Sequence, residues 1–292
     1  MTQISALLVK ELREKTNVGM MDCKSALVEA GGDLEAAEDI LRKKGIAKAG
    51  KKADREAKEG LVTALIREDG VVGVLLEVNC ETDFVAKNEN FRAFTDELAV
   101  VLLATEVEDA AGFLAAPHPG GGTVEDVVKE KIAEIGENIL IRRLARFETG
   151  ANGRLASYIH MQGRVGVLLE LEAGKGSDSF GADGVAEVVK DITLHIAAAS
   201  PSCVRREELD PALVAKEREI AAEQVKGKPE NVIEKIVDGK MGKFFAQVCL
   251  LEQGFIKDTD KTVGALLDET GAKAGDSLTV TRFKRLAIGE AS

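Results

Sequence analysis

The sequence contains no tryptophan and a single tyrosine, Tyr158, so little is available to stack a flat cofactor. Its four cysteines, Cys23, Cys80, Cys203 and Cys249, lie far apart and form no C-x-x-C. Separate reduced thiols are the expected state. The three histidines, His118, His160 and His195, are isolated from one another and from the cysteines, so no metal site and no Cys–His catalytic pair is predicted. No G-x-x-x-x-G-K-[ST] is present, and Gly174-Lys175-Gly176 continues without dinucleotide spacing, which removes the usual nucleotide-binding loops. Neither a cofactor nor direct nucleotide binding is expected. Asp and Glu are too abundant for any pair to stand out as acid and base, so covalent catalysis finds no residues to carry it. No apolar run approaches the roughly 18–20 residues of a membrane span. The N-terminus reaches Lys10-Glu11 after a short apolar stretch, unlike a signal peptide, and cytoplasmic residence without membrane attachment is the expectation.

A basic surface is also missing. The net charge of −11 argues against broad nucleic-acid binding, which needs cations for phosphate. The local exception is the run from Arg42 to Lys58, which reads either as a solvated linker or as a touch on RNA.

What is present is a duplication. Val72-Gly73-Val74-Leu75-Leu76-Glu77 recurs as Val165-Gly166-Val167-Leu168-Leu169-Glu170. A shared feature of two copies is scaffold, and a difference between them points to function. Asn79-Cys80-Glu81-Thr82-Asp83-Phe84-Val85-Ala86-Lys87-Asn88 follows the first copy. Ala173-Gly174-Lys175-Gly176-Ser177-Asp178 follows the second, with no large apolar residue in the place of Phe84.

The 292 residues leave room for two or three domains. Residues 1–54 read as a three-helix domain plus the basic linker, with a turn through Asn17-Val18-Gly19 and glycine stops at Gly31-Gly32 and Gly45. Of Met20 and Met21, one is expected in the core and the other exposed as an adaptable contact. Residues 55–148 form the first core copy, with strands near 61–67 and 71–79, a helix from about 88, a capping box at Thr123–Asp126 and a strand from Ile139 to Phe147. Gly73 suggests a strand packed closely against a neighbour. Residues 149–292 form the second copy. It holds an apolar helix carrying His195 as a core residue, then an antiparallel helical arm at about 210–248, each helix about 25 Å long. Asp210-Pro211 opens the arm and Gly227-Lys228-Pro229 turns it. A helix near 261–269 and a strand from Leu278 to Leu286 close the chain. The fold class is α+β: small antiparallel sheets with helices on one face.

Phe84 has two readings. It lies seven residues before Phe91, which would place both on one helical face. Yet Lys87 and Asn88 interrupt that stripe, and Thr82 and Asn88 are good caps, which leaves Phe84 in a tight polar loop as an anchor for a partner. Cys80 beside it is expected to be buried and structural; a thiol enzyme built on it would need a lowered pKa.

At these residues the sequence resembles a known family. The Asn79–Asn88 segment, the Thr16-Asn17-Val18-Gly19-Met20-Met21-Asp22-Cys23-Lys24 segment and the stretch from Lys131-Ile132-Ala133-Glu134-Ile135-Gly136-Glu137-Asn138 through Arg142-Arg143 closely resemble the signatures of bacterial elongation factor Ts. The second has Asn17-Val18 where many members have Gly-Ala. The resemblance runs from end to end. It implies a guanine-nucleotide exchange factor for the GTPase elongation factor Tu, without covalent chemistry. Carried over, Asp83 and Phe84 are a wedge entering near the partner's magnesium and phosphate site, with Thr82 and Val85 as its frame. Met20, Met21, Val263 and Leu266 would hold the nucleotide-binding domain. The arm would meet the partner's other domains or a second copy of this chain.

Overall fold

The computed structural model describes residues 4–16, 18–50, 52–226 and 229–290. Asn17, Gly227 and Lys228, to which turns were assigned above, lie outside the described residues. The chain opens with α1 (Ala6–Thr16), α2 (Met20–Glu29) and α3 (Leu34–Gly50). Their inward faces meet as one small core of Val9, Leu12, Cys23, Ala26, Leu27, Ala37 and Leu41. Gly31 and Gly32 have positive φ and end α2, and Asp33 accepts the Ala36 N–H to start α3. Gly45 does not stop α3, contrary to the sequence expectation. The helix runs on to Gly50, because Gly45 serves packing instead: a Cβ there would sit 2.8 Å from the Ala133 Cβ. Much of the basic run is therefore helix rather than linker.

The first copy comprises β1 (Glu59–Ile66), β2 (Val72–Cys80), the single turn α4 (Asp83–Ala86), α5 (Glu89–Leu103), α6 (Ala110–Ala115), α7 (Val124–Ile135) and β3 (Ile139–Glu148). The sheet order is β1-β2-β3, and every residue of β2 is buried. Asn88 caps α5, whose buried stripe is Phe91, Phe94, Leu98 and Leu102. Thr123 and Asp126 form the full capping box of α7, which ends at the left-handed Gly136. A Cβ on Gly73 would meet Ile66, Leu155 and Leu168 side chains at 3.1 Å, which accounts for glycine in that strand.

The second copy repeats this plan with β4 (Gly153–His160), β5 (Val165–Ala173), α8 (Val185–Ala199), α9 (Pro211–Glu223), α10 (Glu230–Val248), β6 (Gly254–Phe255), β7 (Asp258–Thr262), α11 (Val263–Ala274) and β8 (Leu278–Ala287). β4 and β5 pair antiparallel, and the sheet order is β4-β5-β8. Each copy pairs a buried glutamate from its hexapeptide with an arginine from its closing strand. Arg143 Nε donates to Glu77 Oε2 at 2.6 Å, and Arg282 Nε donates to Glu170 Oε2. In the arm, α9 has 13 residues and α10 has 19, hence about 20 and 29 Å at 1.5 Å per residue. Ala221, Val225, Val237 and Met241 form the buried seam between them. The short β6–β7 hairpin, unmarked in the sequence, turns residues 258–262 into strand, so α11 starts at Val263.

By compactness the chain divides into two units. One holds residues 1–63, 76–146 and 287–292, the other residues 64–75 and 147–286. Among the described residues no helix is long and apolar enough to cross a membrane.

Candidate functional site

The site is the turn that leaves β2. Thr82 has extended backbone, and its hydroxyl accepts the Val85 N–H at 3.4 Å, which nucleates the four-residue α4. Asn88 restarts the chain as α5, its side chain accepting the Asn90 N–H at 2.8 Å. Two caps six residues apart therefore force a tight, protruding turn instead of one continuous helix. Phe84 sits on that turn and is 82% exposed, the only one of the ten phenylalanines in an exposed environment. The core reading of Phe84 is overturned: the break at Lys87 and Asn88 turns the side chain outward. Val85 is half-buried, and Ala86 is buried beneath it.

The turn is held by a residue that sequence reasoning gave no role. Glu137 follows Gly136 at the end of α7. Its Oε2 accepts the N–H of Glu81 at 3.1 Å and of Thr82 at 3.0 Å, and its Oε1 accepts the Thr82 hydroxyl at 2.7 Å. Glu81 in turn accepts the Asn138 N–H at 2.6 Å, and the Asn138 amide donates to the Arg55 carbonyl at 2.7 Å. Asn90, Lys131 and Glu134 form a second polar cluster beside the turn. The position of Phe84 is thus set by backbone hydrogen bonds to charged acceptors, among the stronger kind.

Asp83 points outward and receives Lys87 Nζ at 2.6 Å; this bond holds its carboxyl below the usual carboxylate range. The turn therefore presents an ionised carboxylate next to a bare aromatic ring. Cys80 is fully buried, its thiol donating to the Thr82 carbonyl at 3.2 Å, and burial first, then the Glu137 charge, pushes its pKa up to about 12. Fast thiol catalysis calls for the opposite shift, so Cys80 reads as a structural residue of the turn.

Met20 and Met21 are both exposed, 54% and 75%, so the expectation that one enters the core is corrected. α2 uses Cys23, Ala26 and Leu27 for its buried face, leaving its first turn open. With Ile4, Ala6 and Val9 the two methionines line an open groove of about 690 Å³ edged by Lys10, Arg13 and Lys24. Val263 departs from its expected docking role. It is fully buried in the core beneath α11, and Leu266 leans on the same core. The outward face of α11 instead carries Ala265, Asp268, Ala272 and Lys273. In the basic run, Arg42 pairs with Glu130 at 2.8 Å, Arg55 with Glu81 at 3.5 Å and Lys58 with Glu56 at 2.6 Å. These cations remain at the surface, in exposed pairs. Among the described residues no group of three or more His, Cys, Asp and Glu could hold a metal ion.

Comparison with known proteins places this α+β chain among the translation elongation factors. The family model described as elongation factor TS matches residues 81–290. The elongation factor Ts of Syntrophotalea carbinolica is 47% identical over 291 residues, covering 99% of this chain and 94% of that one. That of Methylococcus capsulatus is 47% identical over 289 residues, covering 98% and 92%. That of Clostridioides difficile is 44% identical over 292 residues, covering 99% and 94%. The chain belongs to the elongation factor Ts family.

Proposed function

We propose that this protein binds the GTPase elongation factor Tu and promotes release of its GDP, with Asp83 and Phe84 entering near the partner's magnesium and phosphate site. One observation carries the reading: Phe84 is 82% exposed on a turn whose backbone is pinned from below. A bare aromatic ring held in place loses little freedom on insertion, which is how a binding anchor gains affinity. The ionised Asp83 beside it brings like charge towards a bound diphosphate.

Magnitudes set the division of labour. Moving a partner from 1:99 to 99:1 takes about 5.5 kcal/mol of differential binding. One buried phenylalanine supplies about 1.5–3 kcal/mol. The remainder comes from wider contacts: the groove of Met20 and Met21 in the module of residues 1–54, and the outward face of α11. Residues 55–148 carry the wedge, and residues 149–292 supply scaffold and arm. Exchange needs no covalent step, because a factor that weakens GDP binding is itself weakened by GDP in the same ratio.

The test is release of a fluorescent GDP from purified elongation factor Tu, with and without this protein. Phe84→Ala is expected to slow accelerated release about 10- to 100-fold, the equivalent of that anchor at 1.4 kcal/mol per decade. Affinity for the nucleotide-free partner should fall by up to the same factor, because the anchor is lost from that complex too. So exposed a side chain should alter stability by only about 0.5 kcal/mol. Unchanged release by the folded variant sinks the assignment.

A further inference from the structure

We infer that Cys203 and Cys249 form an oxidisable dithiol at the root of the helical arm, which a peroxide closes into a disulfide. Cys203 lies on the segment that leads into α9, and Cys249 is the first residue after α10. The two are partners in an isolated parallel bridge. Ser202 N–H donates to the Val248 carbonyl at 2.8 Å, and Leu250 N–H donates to the Cys203 carbonyl at 2.9 Å, so the two roots are stitched side by side. The Cys203 thiol donates to the Cys249 sulfur at 3.6 Å. Backbones paired in this way run about 4.8 Å apart, inside the Cα separation that a disulfide spans, about 4.4–6.8 Å. Closure therefore needs side-chain rotation and no backbone movement. The other two thiols each rest on a backbone carbonyl, Cys23 on Val18 and Cys80 on Thr82.

The duplication gives the pair a second significance. Glu77 and its arginine are 66 residues apart, and Glu170 and its arginine are 112 apart. The second copy is thus longer by 46 residues, and most of that length lies between α8 and α11, where the arm stands. The cysteines stand at the two roots of the arm that the second copy carries, and a bond between them would staple it at its base. Leu209, Val214, Phe244 and Phe245 pack around them.

Burial sets the rate. It pushes the Cys249 thiol up to about 12 and raises that of Cys203. Both are protonated at neutral pH, which slows their reaction with peroxide. Cys203, 8% exposed against none for Cys249, is the attacking thiol. It loses its proton, its sulfur attacks one peroxide oxygen, and the O–O bond breaks. The departing hydroxide takes a proton as water, leaving a sulfenic acid on Cys203. Cys249 then loses its proton and attacks that sulfur; the S–O bond breaks and a second water leaves. Two thiols have given two electrons, and one peroxide has become two waters.

The experiment treats the native full-length protein with hydrogen peroxide, quenches it and counts thiols after denaturation. The count should fall from four to two, return to four with a dithiol reductant, and peptide mapping should join Cys203 to Cys249. Cys203→Ser should keep three thiols under the same treatment, whereas Cys249→Ser should strand a sulfenic acid on Cys203, captured by dimedone, with no link to another cysteine. Loss of Cys23 or Cys80 before the pair, irreversible oxidation, chain-to-chain dimers, or the same pairing at the same rate in the unfolded chain would each overturn the inference.

Discussion

Removing the Glu137 carboxylate tests whether the wedge works by being held still. In Glu137→Ala three hydrogen bonds disappear at once: those from the N–H of Glu81 and Thr82 and from the Thr82 hydroxyl. Hydrogen bonds to a charged acceptor contribute about 1.5–3 kcal/mol each. The site is half-exposed, so water replaces much of what is lost, and a cost of about 2–3 kcal/mol to the order of the turn is the reasonable sum. At 1.4 kcal/mol per decade the turn holds its geometry about 30- to 150-fold less often. The maximal rate of accelerated GDP release should fall by about 30-fold, with affinity for the nucleotide-free partner reduced by no more than Phe84→Ala reduces it, because docking elsewhere is untouched. Glu137→Gln should lose far less. Its carbonyl oxygen still accepts both N–H groups, and its amide can donate to the Thr82 hydroxyl.

Hydrogen exchange supplies a readout that a general loss of stability cannot imitate. The amides of Glu81 and Thr82 should lose protection while those of β2 keep theirs. Asp276→Ala is the matched control. Asp276 accepts the Lys175 N–H at 3.0 Å and the Ser179 hydroxyl at 2.6 Å, so it clamps a loop that carries no anchor. Wild-type exchange by Glu137→Ala with the two amides unprotected would refute the reasoning, as would an equal loss from Asp276→Ala.

Three further outcomes are expected. His195 accepts the Ile256 N–H on Nδ1 and meets Gln253 Oε1 through Nε2 at 2.9 Å, so the neutral ring fits, and burial lowers its pKa below 6.5; the unfolded chain then binds the extra proton first, and the melting midpoint should fall as pH drops below about 6.5, with the ring titrating lower still by NMR. Glu269 is held at about 2 by its bonds from Lys261 and Lys273, so its favourable contribution is complete above its ordinary 4.5 and fades as pH falls towards 2; Lys261→Met should raise its titration in a carboxyl NMR series. Deleting residues 1–45 should weaken affinity for elongation factor Tu and lower the melting midpoint through loss of the Gly45–Ala133 packing, while melting remains cooperative and the turn at Phe84 keeps its exchange protection.

Features legible in the sequence were those decided within a few residues. The caps at Thr82, Asn88, Thr123 and Asp210 act on N–H groups two or three positions away, so residue type and spacing suffice. Gly45 misled because the same residue ends a helix or admits a neighbour, and only the neighbour, Ala133, tells which. Val263 misled for a related reason. A valine at a helix start is exposed or buried according to what lies beneath, and here β5, α8 and β8 supply a core. Glu137 lay in a stretch that the family resemblance marked, yet nothing tied it to the turn: its partner Thr82 is 55 residues away, and the sequence offers many glutamates.

The duplication is deeper than the repeated hexapeptide, and this sharpens what the first copy has of its own. Thr123 caps α7 and Thr262 caps α11; Gly136 and Gly275 end those helices in the left-handed conformation. The residue after each glycine, Glu137 or Asp276, is a carboxylate that accepts a backbone N–H from the loop leaving the central strand. Arg143 and Arg282 then pair with the buried glutamates. Cap, stop, clamp and ion pair are therefore common property of the fold and cannot by themselves explain exchange. What differs is the content of the clamped loop. In the first copy, two caps close together throw Phe84 outward. In the second, the glycine-rich loop has no such cap, and its phenylalanine, Phe180, turns into the core at 7% exposed. The fold supplies a rigid mount twice, and the first copy's loop alone sets an aromatic ring outside it.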